Sequence, residues 1–424
     1  MKKIFTLIAV AMFCGTININ AQCTGDRYKM QVFWESEVTS DIQYGSNINT
    51  QGNNENLTLD VYEPTGDSLA NRPLLILAHG GSFIGGSKTG ADVVSLATDF
   101  AKMGYVVASI NYRLGFEGLS SGTLDSITAT ETVVRSVHDF RAAIRFFKKN
   151  FSENGNTYGI DTSLIFGGGV SAGAITAVHV AYLDELSELP TYIDTTKAGL
   201  GGGIEGNSGN PNYVSSGLVG IINIAGALRD TSWITPTSIP VLSFHGDQDG
   251  TVPYGSDIIY LQGFFAIMMV DGSQSIHLRA ENVGITNCLH THEGADHIPH
   301  SLDNQAAEYT DTTLTISSNF MSALVCNETF NCIYDGTTVY VGLSEKNTTD
   351  ANVYPIPSQG NINIEAGNII EEIQLTNLLG ERVLVKQGTN SDNMQITRNN
   401  LPNGVYILSI KTDIGTTIKK ISFE

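Results

Sequence analysis

Positive charge is scarce in this 424-residue chain: 23 lysines and arginines face 43 aspartates and glutamates, a formal net charge of −20. Nucleic acid and anionic membrane surfaces attract basic patches, so this balance argues against both as partners. Long apolar runs are nearly absent. Ile4 to Phe13 is the only one of note, and it is too short to cross a bilayer as a stop-transfer segment, so no membrane span is predicted. Cysteine is sparse, and none of the 5 has a catalytic context. No Lys-Ser/Thr follows a glycine loop in P-loop register, and no H-E-x-x-H is present. Neither a phosphate cradle nor a compact metal site is therefore favoured, and no cofactor is expected.

The amino terminus runs from Lys2 and Lys3 through that apolar stretch to the small residue Ala21, the order of a secretory signal peptide over residues 1–21. A buried structural helix is the rival interpretation. Neither Cys14 nor Cys23 follows a convincing lipobox. Removing the signal leaves Cys23, Cys288, Cys326 and Cys332, which permit three pairings. Cys326 and Cys332 are close enough to close a small loop, leaving Cys23 to join Cys288; some thiols staying free is the other possibility.

Length alone favours two domains. From Leu57 to about Cys332 the chain alternates strand-like and helix-like segments. Strands are predicted at Leu57–Tyr62, Leu74–Ala78, Tyr105–Asn111, Leu164–Gly167, Gly220–Ile224, Val241–Phe244 and Cys288–His292. Helices are predicted over Thr132–Asn150 and Ala172–Leu186. Such alternation implies an α/β fold, a mainly parallel doubly wound sheet with active residues at the carboxyl ends of strands. Composition changes after Cys332. Residues 335–352 read as a linker, and residues 353–424 as short alternating strands of a small all-β sandwich. The catalytic region then spans residues 22–334.

Gly169-Val170-Ser171-Ala172-Gly173 follows the apolar run Leu164-Ile165-Phe166 and precedes a helix-compatible stretch. Strand, glycine-flanked serine and helix form the setting of a nucleophile elbow. In a chain with 44 glycines the string alone is weak, so its surroundings decide. A serine hydroxyl needs a base, usually histidine, oriented by a carboxylate. Val241–Phe244 runs into His245-Gly246-Asp247-Gln248-Asp249, and a later strand runs into Glu293-Gly294-Ala295-Asp296-His297. The candidates appear in the order Ser, Asp, His. Asp247 and Asp249 taken alone read equally as turn residues. His290, His292 and His300 lie near His297, so a metal cluster is conceivable, though it lacks a ligand signature. Leu74–Ala78 opens into His79-Gly80-Gly81-Ser82, where Gly81 and Ser82, with Ala172, are candidate N–H donors to an oxyanion. An ordinary glycine loop is the plain alternative.

Residues 57–300 resemble the α/β-hydrolase fold in its carboxylesterase/lipase branch with an H-G-G-G-type oxyanion loop. The resemblance rests on His79-Gly80-Gly81-Ser82, Asn111-Tyr112-Arg113-Leu114-Gly115, Tyr158-Gly159-Ile160-Asp161, the Gly169–Gly173 string and His245-Gly246-x-x-Asp249-x-x-Val252-Pro253. It implies Ser171 as nucleophile, Asp249 rather than Asp247 as orienting acid, and His297 as base. Three departures leave the subfamily open: Ser82 replaces the third glycine, Val170 precedes the nucleophile, and Asp296 precedes the base. The tail strings Val353–Gly360, Leu379-Gly380, Leu401–Tyr406 and Lys419-Lys420-Ile421 resemble the carboxy-terminal sorting domain of the type IX secretion pathway of Bacteroidetes. That resemblance implies passage across the outer membrane with the type IX machinery as partner; an adhesion or carbohydrate-binding sandwich is the alternative.

Together these features predict a secreted serine carboxylic-ester hydrolase. Its substrates would be short acyl or aryl esters: polysaccharide acetyl or feruloyl esters, small lipids or polyesters. A peptidase of the same fold and a non-catalytic adhesion protein on a hydrolase scaffold are the rivals. Activity should rise with pH as the base loses its proton, near 6.5 for an ordinary histidine. Leu200–Asn210 is expected as a flexible surface loop near the site or a mere connector. Phe264, Phe265, Met268 and Met269 are expected to pack a helix into the core, with an acyl-pocket wall as the rival.

Overall fold

The structure, a computed structural model, describes residues 23, 25–119, 121–261, 265–302, 306–334, 351–377, 382–388, 391–398, 401–412 and 415–424. The chain divides into two compact units, Met1–Val341 and Gly342–Glu424.

In the first unit eight strands form one sheet: β1 (Ser36–Ile48), β2 (Asn54–Pro64), β3 (Arg72–Ala78), β4 (Val106–Ile110), β5 (Ile160–Val170), β6 (Leu218–Ile224), β8 (Val241–Gly246) and β11 (Asn287–His292). Their spatial order is β1-β2-β4-β3-β5-β6-β8-β11. The pairs β1–β2 and β2–β4 are antiparallel, and every pair from β4 to β11 is parallel. Each strand expected from the sequence is present, because buried parallel strands announce themselves as short apolar runs.

Side-chain period two divides the core into two layers. Leu74, Ile76 and Ala78 of β3 join one buried cluster, whereas Leu75 and Leu77 join the other. Helices α2 (Ser126–Glu153) and α3 (Ala172–Tyr182) cover the first face with Phe140, Ile144, Phe147 and Val178. Helices α1 (Ala91–Lys102) and α6 (Ala306–Cys326) cover the second with Leu96, Phe100, Phe320 and Met321. Helix α2 starts earlier than Thr132. Asp125 accepts the Thr128 N–H and Thr128 Oγ1 accepts the Asp125 N–H, a capping box that fixes the start at Ser126. Helix α3 ends at Tyr182, short of Leu186.

The segment around Met268 overturns an expectation. It is strand β10 (Phe265–Gly272), paired antiparallel with β9 (Ser256–Leu261) and, at its end, with β7 (Ala227–Leu228), rather than a core helix. A short apolar run fits a buried helix and a strand equally, and here pairing with β9 decides. Phe264 and the Phe265 side chain lie outside the described residues. Helices α4 (Ser273–Val283) and α5 (Pro299–Leu302) complete the unit.

The disulfides also differ from the pairing expected. Cys23 bonds Cys326, and Cys288 bonds Cys332. Proximity in sequence misleads because Cys326 ends α6, where both Cys23 and Cys326 pack on the second core layer. Cys332, six residues on, instead meets Cys288 of β11.

The second unit holds two antiparallel sheets. One is ordered β12 (Ala351–Tyr354), β13 (Asn361–Ala366), β16 (Asn393–Thr397). The other is ordered β15 (Arg382–Gln387), β14 (Ile370–Asn377), β17 (Gly404–Thr412), β18 (Gly415–Phe423). Ile362, Ile364 and Ile396 of the first sheet share one core with Ile373, Leu375, Leu408 and Ile421 of the second, the arrangement of a sandwich. Most of the expected linker, and Leu379-Gly380, lie outside the described residues.

The two disulfides close rings of very different span, 303 and 44 residues. Loop-closure entropy makes the larger ring worth about 1–2 kcal/mol more. Replacing Cys23 and Cys326 by serine should therefore lower the calorimetric Tm further than replacing Cys288 and Cys332; the reverse order would refute this account.

Candidate active site

The site grows from one strained turn. Strand β5 ends at Val170, α3 begins at Ala172, and Ser171 between them adopts φ 53°, ψ −119°. A non-glycine residue at positive φ carries strain, which the structure around it must hold. Both flanking glycines have a steric reason. A Cβ on Gly169 would lie 2.4 Å from the backbone of Gly173, and one on Gly173 would lie 2.0 Å from the Ala78 carbonyl oxygen. The Ser171 N–H donates to the Ile224 carbonyl at 2.8 Å, tying the turn to β6.

The structure brings the three distant candidates together. His297 Nε2 is 2.8 Å from Ser171 Oγ, and His297 Nδ1 is 2.7 Å from Asp249 Oδ2. Asp249 Oδ1 accepts the N–H groups of Thr251 and Val252, each at 2.8 Å. Its side chain is 0% exposed. Burial alone would raise the Asp249 pKa; hydrogen bonds from His245 and His297 outweigh it and hold the carboxyl well below the usual carboxylate range. Asp247 and Asp296 hold the neighbouring loops. Asp247 Oδ1 accepts the Gly294 N–H at 2.6 Å, and Asp296 Oδ1 accepts the Gly250 N–H at 3.0 Å.

The loop after β3 has three successive positive-φ residues, Gly81 (114°), Ser82 (54°) and Phe83 (58°). Successive turns of this kind aim backbone N–H groups at an anion. Polar contacts fix the loop from outside: Tyr112 donates to the His79 carbonyl at 2.8 Å, and the Gly80 N–H donates to Asp92 Oδ2 at 2.7 Å. Ser82 and Ala172 line one cavity with Ser171; Gly81 lies just behind Ser82 in the loop.

That cavity is walled mainly by apolar side chains, among them Phe83, Phe116, Val133, Ile175, Ile267 and Met268. His179 adds an imidazole with both nitrogens engaged: Nδ1 pairs with the Ile175 carbonyl at 2.7 Å, and Nε2 accepts the Arg229 N–H at 3.3 Å. Burial pushes His179 down to about 4, so it is a neutral wall. Met268 is thus a wall residue, whereas its neighbour Met269 is 57% exposed.

Leu200–Asn210 does not line this cavity. Its carbonyls are gathered by α2: His138 Nε2 pairs with Gly203 at 2.7 Å, and Arg145 donates to Glu205 and Gly209, each at 2.8 Å. The sequence concealed this because the anchors, His138 and Arg145, are buried side chains on a helix 60 or more residues away. Among the described residues no group of three or more His, Cys, Asp or Glu is arranged to hold a metal ion. His292 and His300 are buried, which pushes them to about 3 and about 4. One site residue escaped the sequence reading. His245, taken only as a marker of its string, places Nε2 3.1 Å from Asp249 Oδ2.

Comparison with known proteins follows this geometry. Residues 59–208 match the family BD-FAE, an α/β-hydrolase esterase domain, and residues 352–424 match the secretion system C-terminal sorting domain. The chain is 28% identical over 141 residues to gut esterase 1 of Caenorhabditis elegans, covering 33% of this chain and 23% of that protein. It thus spans about a quarter of that relative's length. Similar solved structures include esterase 2 of the planctomycete Thermogutta terrifontis with propionate bound (18% identity, 68% of this chain and 93% of that one, TM-score 0.45). The same enzyme phosphorylated by paraoxon matches at 20% identity, with the same coverage and TM-score 0.45.

The sheet of the first unit and the BD-FAE match at residues 59–208 agree on the α/β-hydrolase class. Residues 59–208 are thus similar to the BD-FAE esterase family and residues 352–424 to the type IX sorting domain, a match that indicates export to the cell surface or the medium. None of its described helices is long and apolar enough to cross a membrane.

The loop geometry yields a contrast between two glycines. A Cβ on Gly81 would lie 2.3 Å from the Gly85 carbonyl oxygen, whereas one on Gly85 would meet nothing within 4 Å. Gly81→Ala should lower kcat for ester hydrolysis by about a hundredfold, the scale of one lost oxyanion donor. Gly85→Ala should stay within a factor of about two, since it adds only a methyl group in open space. Equal losses would show that the loop geometry does not matter.

Proposed function

We propose that this protein hydrolyses carboxylic esters through an acyl-enzyme formed on Ser171. The observation that carries the reading is the 2.8 Å contact between Ser171 Oγ and His297 Nε2, with Asp249 at 2.7 Å behind the ring. His297 takes the hydroxyl proton as Ser171 Oγ attacks the ester carbonyl carbon. The backbone N–H groups of Gly81, Ser82 and Ala172 receive the negative charge that develops on the carbonyl oxygen. Collapse breaks the bond to the alkoxy oxygen, which leaves as the alcohol with the proton from His297. Water then attacks the acyl-enzyme with His297 again as base, releasing the acid and restoring Ser171. Asp249, anionic and buried, keeps the His297 proton on Nδ1 and stabilises the imidazolium.

The apolar cavity beside Ser171 supports an acyl group of short aliphatic or aryl type, in esters of polysaccharides, small lipids or polyesters. Export by the type IX route suits substrates outside the cell. The type IX machinery acts on the second unit and the ester on the first.

The test is hydrolysis of p-nitrophenyl acetate, butyrate and octanoate by wild type and Ser171→Ala. The variant should lose at least about 10³-fold in kcat while keeping its Tm; undiminished turnover would remove Ser171 as nucleophile. Because Asp249 stays ionised far into acid, it adds no step of its own, and kcat/KM should fall on the acidic side along a single ionisation. Two steps there would contradict the assignment.

The cavity wall makes a second prediction. Val133→Trp should reduce turnover of octanoate relative to acetate by about tenfold or more, as expected for filling an acyl pocket. An unchanged ratio would place the acyl group elsewhere.

A further inference from the structure

Behind the carboxylate that meets His297 lies a second imidazole. His245 is the penultimate residue of β8 and is 1% exposed. Its Nε2 is 3.1 Å from Asp249 Oδ2, the same oxygen that His297 Nδ1 reaches at 2.7 Å, and 3.0 Å from the Val252 carbonyl. Both neighbours of Nε2 are acceptors, so Nε2 carries a proton. The partner of Nδ1 is Ser273 Oγ at 2.7 Å, much nearer than that hydroxyl's other acceptor, the Gly226 carbonyl at 3.4 Å. Ser273 therefore donates to Nδ1, and its oxygen accepts Asn223 Nδ2 at 3.1 Å. Asn223 also donates to Ser243 at 3.0 Å. Asn223, Ser243, His245 and Ser273 are all at most 1% exposed. Burial of polar groups is costly unless they are paired, and the directions agree from Asn223 Nδ2 through Ser273 to His245, while Asn223 Oδ1 is buried without a hydrogen-bond partner.

We infer that His245 is a positioning residue for the proposed reaction: with its tautomer set by Ser273 and Asn223, it holds Asp249 Oδ2 against His297. The inference rests on the reading of Ser171, His297 and Asp249 as the working set. Asp249 then has two backbone N–H donors on Oδ1 and the His297 Nδ1–H on Oδ2, while the His245 Nε2–H, which also faces the Val252 carbonyl, lies 3.1 Å from the same Oδ2; together these contacts fix the carboxylate in one orientation. Sharing Oδ2 also tempers its pull on the His297 proton. The ionisable groups facing this pair are few. Tyr254 packs edge-on against His245 with ring centroids 5.7 Å apart. His292 of β11 and His300 of α5 face the pair and are pushed low by burial, and Asp296 and Asp247 bind backbone N–H groups of the two adjoining loops.

The experiment pairs pH-dependent kinetics on p-nitrophenyl butyrate with imidazole ¹⁵N NMR of the full chain. His245→Leu should lower kcat by about ten- to a hundredfold with KM little changed, the scale of a misplaced catalytic group. Its acidic limb should move up by about half a unit or more, because Oδ2 then serves His297 alone. His245→Gln, which keeps a donor near the Nε2 position, should restore most of both. NMR of the wild type should show the His245 proton on Nε2, a readout that needs no variant to fold. An unshifted acidic limb in an active His245→Leu enzyme, or a proton found on Nδ1, would overturn the inference. Wild type that turns over none of the esters would instead overturn the proposed function, leaving the NMR result to stand by itself.

Discussion

Everything at the candidate site hangs on a backbone that should not exist without help. Ser171 sits at φ 53°, where a side chain crowds its own peptide, and it is held there by contacts that leave no room for a Cβ on either flanking glycine. The close approach of Gly173 to the Ala78 carbonyl matters most, because Ala78 ends the neighbouring strand β3. The same contact that permits the turn brings the glycine loop after β3 beside the serine. One steric constraint thus sets Ser171 and the loop in register. A one-residue slip of β3 against β5 would separate them.

The second constraint is electrostatic. A carboxylate with no solvent exposure should resist ionisation, yet Asp249 is held anionic by donors supplied from its own loop and from two histidines. The loop is short enough that Thr251 and Val252 turn their N–H groups back onto it. Strand β8 delivers His245, and the segment after β11 delivers His297. Adjacent parallel strands therefore place both imidazoles on one oxygen, a convergence that only their shared carboxyl-end edge allows.

How much was legible in the sequence follows from how local each feature is. The buried strands were legible because short, mainly apolar runs such as Val241–Phe244 leave little else to form. Ser171, Asp249 and His297 could be named because each lies at the end of such a run within a string of recognisable composition. The start of α2 was missed although Asp125 and Thr128 spell a capping box, a local signal simply not read. The β9–β10 hairpin was misread because periodicity does not separate a short apolar strand from a buried helix. The disulfide partners, the anchoring of Leu200–Asn210 by Arg145 and the contact of His245 with Asp249 were not legible. Each is settled by packing between elements far apart in sequence.

The pairing of Cys23 with Cys326 bears on the timing of export. Residues cross a membrane in order, so Cys23 arrives first among the four bonded thiols and must wait for a partner 303 residues later. Cys288 emerges before either native partner is complete, and a bond between those first two arrivals would be the wrong one. The catalytic unit can be sealed only once α6 has followed its sheet across. Both covalent rings thus close among residues 23–332 and leave residues 352–424, which contain no cysteine, outside them.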